Sequence, residues 1–407
     1  MARSATFGAQ PDAAALLAQA EYETGLHDFG DGQFRGPLDA LVRFVNAAGG
    51  LGADDRRAAF GQVVRVLGWR LRLVEDRKRH LGIADERIEA PLIVIGFPRS
   101  GTTLLHALLA QAPGHRAPLY WEVARPSPPV SLAAPGDPRI AEGTRDIERW
   151  LAEYAGFIAQ HPYFDAGGET PMECESLLVY DLRNAYPTMF SKVPFGHPWA
   201  EEGTDREYYA SHRQFLQHLQ FGAPRRRWVL KGVEHQFRLS ALLAAYPDAK
   251  LVWPHRDPAE VFGSLLAVIA MVFKHSGTPA PADRRAFSLA MLDRFQQRVE
   301  KALAGPASEA ESVCHVTYPD LTADPVGVVR AVYEHFALPP DGVEPALRAW
   351  LDDPGNRGDR FGKWAYDLAD FEVPARSASA SAVTARGSGS DGFRAPGPAG
   401  RRAADTA

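Results

Sequence analysis

Eight consecutive residues, Gly96-Phe97-Pro98-Arg99-Ser100-Gly101-Thr102-Thr103, carry the most specific chemistry in this sequence. They join a short β-branched run, 91–95, to a helical pattern over 104–111. A glycine-spaced turn from strand to helix aims successive backbone N–H groups outward at the positive helix terminus, and that makes a cradle for an anion. Gly96 and Gly101 have the separation of the phosphate loop G-x-x-x-x-G-K-[ST], but Thr102 stands where the lysine belongs. In a nucleoside triphosphatase that lysine reaches the β- and γ-phosphates. Its absence disfavours ordinary ATP or GTP hydrolysis. The cation this loop does carry is Arg99, ahead of the second glycine.

A second anion site follows from Val252-Trp253-Pro254-His255-Arg256-Asp257-Pro258. Asp257 suits a helix N-cap and Pro258 the first helical position. Arg256 is therefore expected at the carboxyl edge of a sheet, where open α/β sheets bind ligands. Ser264 lies seven residues past the cap, two turns along nearly the same helical face. Arg256 and Ser264 together can hold one phosphate.

The elements that must position these groups alternate. Short apolar runs at 91–95, 228–230, 251–253 and 313–318 read as buried strands, and the first three lead into helical patterns. This alternation implies a parallel sheet with helices on both faces. The first 90 residues read as helical and as packing against the core, without a catalytic cluster. A long insertion, about 120–225, has weak strand signal, and Trp150–Phe221 holds 14 aromatic residues in 72 against 10% over the whole chain. Such density builds a core or lines an apolar cavity. From 376 onward the Ala/Ser/Gly/Arg/Pro composition predicts a disordered tail, 376–407.

Composition narrows the classes. The chain has 407 residues, 45% apolar and 23% charged, with a net charge of −5, against the basic footprint that nucleic acid requires. The longest apolar run, 265–273, is about half of a membrane span. The first residues lack the layout of a secretory signal. Cys174 and Cys314 form no disulfide framework, and the 13 histidines show neither H-E-x-x-H nor a Cys/His cluster. A cytoplasmic protein without a metal is expected. Glu169-Thr170-Pro171-Met172-Glu173 reads as a capping box, Thr170 with Glu173, leaving Glu169 free to face a ligand.

The two anion motifs in this order resemble those of sulfotransferases that use 3′-phosphoadenosine-5′-phosphosulfate (PAPS), most of all a bacterial branch that shares the PRSGTT loop with tyrosylprotein sulfotransferases. Trp228-Val229-Leu230-Lys231, Tyr318-Pro319-Asp320-Leu321 and Asp324-Pro325 match as well, so the resemblance spans roughly 91–370 within a domain drawn at 91–375. It implies a three-layer fold like that of P-loop NTPases, with a central parallel β-sheet, a helical N-terminal region and a helical insertion. It also implies that Arg99, Ser100, Gly101, Thr102 and Thr103 hold the 5′-phosphosulfate, Arg256 and Ser264 the 3′-phosphate, and Tyr318 the adenine side. Arg99 and Lys231 would stabilise the leaving oxygen. The base that deprotonates the acceptor is Glu122, in Tyr120-Trp121-Glu122, or His235, four residues past Lys231. Lys363 lies in a segment where relatives tend to show Gly-Lys-His-Arg-Tyr; here Trp364 and Ala365 replace the His and Arg. The acceptor implied by the aromatic insertion is an apolar or aromatic small molecule with a hydroxyl or amine. A small-molecule kinase, or a non-catalytic nucleotide-binding protein on the same scaffold, is the alternative.

Overall fold

The computed structural model describes residues 10–130, 136–154, 156–183, 205–276 and 283–361; Lys363 and the predicted tail lie outside the described residues. Five parallel strands form one sheet: β1 (Leu92–Val94), β2 (His115–Arg116), β3 (Arg227–Lys231), β4 (Lys250–His255) and β5 (Val313–Thr317), in the order β2-β3-β1-β4-β5. Four of these match the predicted runs. The fifth, β2, is a two-residue edge strand with too few residues to show a pattern. Val313–Tyr318 was one residue too long as a strand: Thr317 caps the helix Tyr318–Ala323 by accepting from the N–H of Asp320, so Tyr318 opens a helix.

Alternate residues of each strand face opposite sides. Leu92, Val94, Val229, Val252, Cys314 and Val316 pack beneath α4 (Thr102–Ala110) and the helix Pro325–His335. Ile93, Ile95, Trp228, Leu230, Leu251 and Trp253 face the insertion and the helices Asp205–Gln220 and Leu239–Ala245. A sheet buried on both faces needs apolar residues at every strand position, which is why the strands read as unbroken runs. β1 lies centrally, with β3 on one side and β4 on the other. The chain thus changes direction of winding beside β1, the place where such sheets open a crevice at their carboxyl ends.

The N-terminal helices α1 (Ala13–Thr24), α2 (Arg35–Ala47) and α3 (Ala53–Arg79) enclose a cluster of their own, with Leu16, Phe34, Leu41, Phe60 and Leu67 fully buried. α3 is anchored to the insertion by Arg70, which pairs with buried Asp181, bonds the carbonyl of Tyr180 at 3.2 Å and reaches Asp31 at 3.0 Å. In the insertion, α5 (Tyr120–Ala124), α6 (Pro138–Glu153) and a 3-10 segment, Cys174–Asp181, bury Tyr120, Trp121, Trp150 and Tyr180. Trp150 and Tyr180 also line a cavity of about 660 Å³ between α3, α5 and α6.

Removing one partner of a buried ion pair leaves the other charge desolvated, at a cost of about 3–5 kcal/mol. Arg70→Ala strands Asp181 and is expected to lower unfolding stability by that amount in urea titration. A loss below about 1 kcal/mol would show that the anchor contributes little.

Candidate active site

The loop after β1 takes the shape that its glycines allow. Gly96 has φ 131° and Gly101 φ 96°, and Arg99 between them adopts φ 72°, a left-handed conformation uncommon for a side-chain-bearing residue. Ser100 closes the turn through its amide and its hydroxyl, both donating to the carbonyl of Phe97, at 3.2 and 2.7 Å. A Cβ on Gly101 would lie 2.9 Å from the Tyr318 ring, so only glycine lets the loop approach that aromatic closely. α4 then begins at Thr102, which is buried, with Thr103 half-buried beside it.

The second motif meets the first. Arg256 follows the end of β4 and donates to the main-chain carbonyl of Arg99 at 3.0 Å. Its guanidinium lies 4.3 Å from the centre of the Tyr318 ring, and Glu260 accepts from its Nε at 2.7 Å. Arg99 turns its own Nε to the hydroxyl of Ser264 at 2.8 Å, on the helix Pro258–Ser276. Arg99, Arg256, Ser264 and Tyr318, drawn from three separate stretches of chain, thus form one connected rim.

Lys231 completes the rim from β3. It pairs with Val94 across the sheet, is 6% exposed, and donates from Nζ to Thr103 Oγ1 at 3.3 Å and to Glu173 Oε1 at 2.7 Å. A buried ammonium needs such partners to stay charged. Glu173 is therefore not the capping residue expected: Pro171 bridges Leu119 in extended conformation, Thr170 Oγ1 caps nothing, and the carboxylate of Glu173 goes to Lys231 instead. Local spacing suggested a cap, and the tertiary charge overrode it. Glu169 is exposed at the end of a short 3-10 turn.

Both candidate bases are buried and engaged by other groups. Glu122 is 3% exposed, takes both oxygens to Arg116 at 2.6 and 2.8 Å, and accepts from the N–H of Leu119 at 3.0 Å. Burial raises its pKa against the pull of Arg116. Arg116 pairs with Trp228 near the amino end of β3, whereas Lys231 ends that strand, so the carboxylate lies along the strand from the rim. His235 is fully buried, with Nδ1 3.0 Å from the Tyr209 hydroxyl and Nε2 3.2 Å from Cys174 Sγ; burial holds its pKa well below the usual imidazole range. Neither ring nitrogen faces an opening.

Two other titratable groups interact with the cations of the rim. One is Glu173. The other is His161, half-buried after the short helix Phe157–Gln160, its ring stacked on Phe157 at 4.6 Å. Burial and the charges of Arg99 and Lys231 lower its pKa to about 3. A lone His-Pro in an aromatic stretch carries no spacing signal, so only the fold could bring it near these cations. The structure also assembles what the sequence reading did not find, a buried group of Cys174, His212 and His235.

Residues 91–342 match the family model described as "Sulfotransferase family". Two curated relatives, the omega-hydroxy-beta-dihydromenaquinone-9 sulfotransferases Stf3 of Mycobacterium bovis and Mycobacterium tuberculosis, are each 27% identical over 285 residues, covering 65% of this chain and 67% of theirs. Among solved structures, sulfotransferase STF9 from Mycobacterium avium superposes with a TM-score of 0.75 at 28% identity, covering 90% of this chain and 94% of its own. Sulfotransferase STF1 from Mycobacterium tuberculosis H37Rv gives 0.69 at 25% identity, covering 92% and 98%. The rim geometry, the sheet order and these likenesses agree, and the chain belongs to the sulfotransferase family, on a P-loop-like α/β fold.

Proposed function

We propose that this sulfotransferase uses PAPS as donor and the hydroxyl of an apolar small molecule as acceptor. The observation that supports the donor most strongly is the convergence of Arg99, Arg256, Ser264 and Tyr318 on one glycine-shaped loop, with Lys231 reaching Thr103. The donor set suits a nucleotide with phosphates at both ends. Backbone amides of 100–103 and Arg99 hold one anion, Arg256 and Ser264 the other, and Tyr318 offers an aromatic face. When bound, PAPS supplies an activated sulfuryl group on a phosphate leaving group.

The chain's residues act on charge and on one proton. Fixed N–H groups of the loop, with Arg99 and Lys231, stabilise negative charge that develops on the leaving oxygen. Arg99 keeps its proton and serves as a donor only. Glu173 aims Lys231 at the loop through their 2.7 Å contact. His161, neutral and within electrostatic reach of both cations, is the group we assign to take the acceptor proton, since Glu122 is engaged by Arg116 and His235 is fully buried. Thr102 leaves the loop without the point charge that a magnesium triphosphate requires, which weighs against a kinase. The acceptor class follows from the aromatic insertion together with the omega-hydroxylated dihydromenaquinone named for two relatives. No described helix is long and apolar enough to cross a membrane, and the two free thiols accord with a cytoplasmic setting.

Thermal denaturation with 3′,5′-ADP tests the donor. At about 100 times its dissociation constant it should add roughly 2.7 kcal/mol of apparent stability, with ATP and magnesium adding little. Stabilisation by ATP–magnesium alone would overturn the reading.

Roles within the rim separate kinetically. Lys231→Ala should lower kcat by about 10²–10³ while cofactor affinity changes less than about tenfold. Arg256→Ala should instead weaken 3′,5′-ADP binding by about 30-fold, roughly 2 kcal/mol. The opposite split would exchange their assignments.

A base works in its neutral form. With the His161 pKa held down to about 3, kcat/KM should stay level as pH falls through about 6.5, the ordinary histidine value. His161→Ala should lower kcat by about 10²–10⁴. An acid limb centred near 6.5, or an unchanged kcat in the variant, would remove His161 from this role.

A further inference from the structure

Beneath the Lys231 turn, three elements far apart in sequence bury their polar side chains against one another. Cys174 opens the 3-10 segment Cys174–Asp181, His212 lies in the middle of the helix Asp205–Gln220, and His235 begins the turn that follows β3. All three are 0% exposed. One donor atom from each lies within 4.8 Å of the other two.

The orientation of the rings is specific. His235 places Nδ1 3.0 Å from the hydroxyl of Tyr209, and His212 places Nδ1 2.7 Å from that of Tyr246. Each phenol oxygen can accept the Nδ1 proton, which leaves a lone pair on each Nε2. That arrangement of an outer oxygen on one ring nitrogen and a free second nitrogen is how metal-bound histidines are held. The Nε2 of His235 approaches Cys174 Sγ at 3.2 Å. The Nε2 of His212 is buried and has no hydrogen-bond partner. A Cys174–His235 hydrogen bond satisfies two of the three groups but leaves that nitrogen desolvated, a cost of about 1–3 kcal/mol. One cation satisfies all three.

We propose that Cys174 Sγ, His212 Nε2 and His235 Nε2 form a structural site for a borderline-soft divalent ion of the zinc type. Ligand–metal distances of about 2.0–2.3 Å place donor atoms roughly 3.3–3.6 Å apart. The Cys174–His235 separation is already that short, and His212, within 4.8 Å of both, needs to close by no more than about 1.5 Å. A thiolate, two imidazoles and a dication sum to one positive charge. The carboxylate of Glu175 offsets it; its Oε1 is 3.8 Å from His235 Nδ1 and accepts from the amides of Glu234 and His235 at 2.7 and 3.1 Å. The main-chain carbonyl of Lys231 lies 3.3 Å from Cys174 Sγ. Binding releases one proton, that of the Cys174 thiol. The ion would staple the insertion to the strand end that carries Lys231.

The test uses the full chain, purified without a metal-affinity tag, with metal content measured by mass spectrometry after zinc loading and dialysis. About one zinc per chain is expected, falling below a tenth of that in Cys174→Ser and in His212→Gln. Chelation should lower the Tm of the unaltered chain and leave that of Cys174→Ser unmoved. Cobalt loading reads sulfur ligation directly and does not depend on whether the variants fold: the unaltered chain should show a thiolate-to-cobalt charge-transfer band in the near ultraviolet. A zinc-free chain after loading, a Tm indifferent to chelation, or no charge-transfer band would overturn the site. Zinc retained in full by Cys174→Ser would mark an adventitious ion only, with the same consequence.

Discussion

The donation from Arg256 to the main-chain carbonyl of Arg99 is the interaction on which the rim depends. It ties the end of β4 to the loop after β1, across the place where the sheet changes its direction of winding. Arg99 is held at a φ of 72°, where a residue with a Cβ does not rest unaided. Its carbonyl is fixed by Arg256 and its guanidinium by Ser264, so the conformation is determined from both ends. Tyr318 occupies the space beside Gly101 and beneath Arg256, and these contacts hold the aromatic ring, both cations and the cradle of amides in one arrangement. Preorganisation of this kind lets charge develop on a bound anion without the donors having to move.

The same economy governs the interior behind the rim. Lys231 is almost wholly desolvated, which is tolerable only because Glu173 and Thr103 receive its protons. Glu122, equally deep, is matched by Arg116. Buried histidines are neutral instead: burial lowers His106 and His212 to about 3, and a carbonyl or a phenol serves each ring. Lys231 and Glu122 are thus paired, and these two histidines have surrendered their charge. Among the described residues, His212 Nε2 is buried without a hydrogen-bond partner and belongs to the cluster with Cys174 and His235.

Several features were legible in the chain by itself because they are local. The strand runs, the loop at 96–103 and the helix starting at Pro258 each depend on backbone preferences and side chains a few residues apart, and all appear where the residues placed them. The resemblance carried the pairing of the two anion motifs, since their order along the chain is itself the signature. Other features needed the tertiary structure. Glu173 looked like a capping residue because Thr170 stands three positions earlier, yet its partner is 58 residues away. Glu122 and His235 had suitable positions along the chain; in the fold Glu122 pairs with Arg116, six residues earlier, and His235 meets Tyr209 and Cys174 from distant segments. His161 comes under the influence of the Arg99 and Lys231 charges only through the fold. Sequence spacing determines what a backbone segment does; which charge a side chain meets across the sheet is decided by burial, because a desolvated group must find its counterpart wherever the fold supplies one.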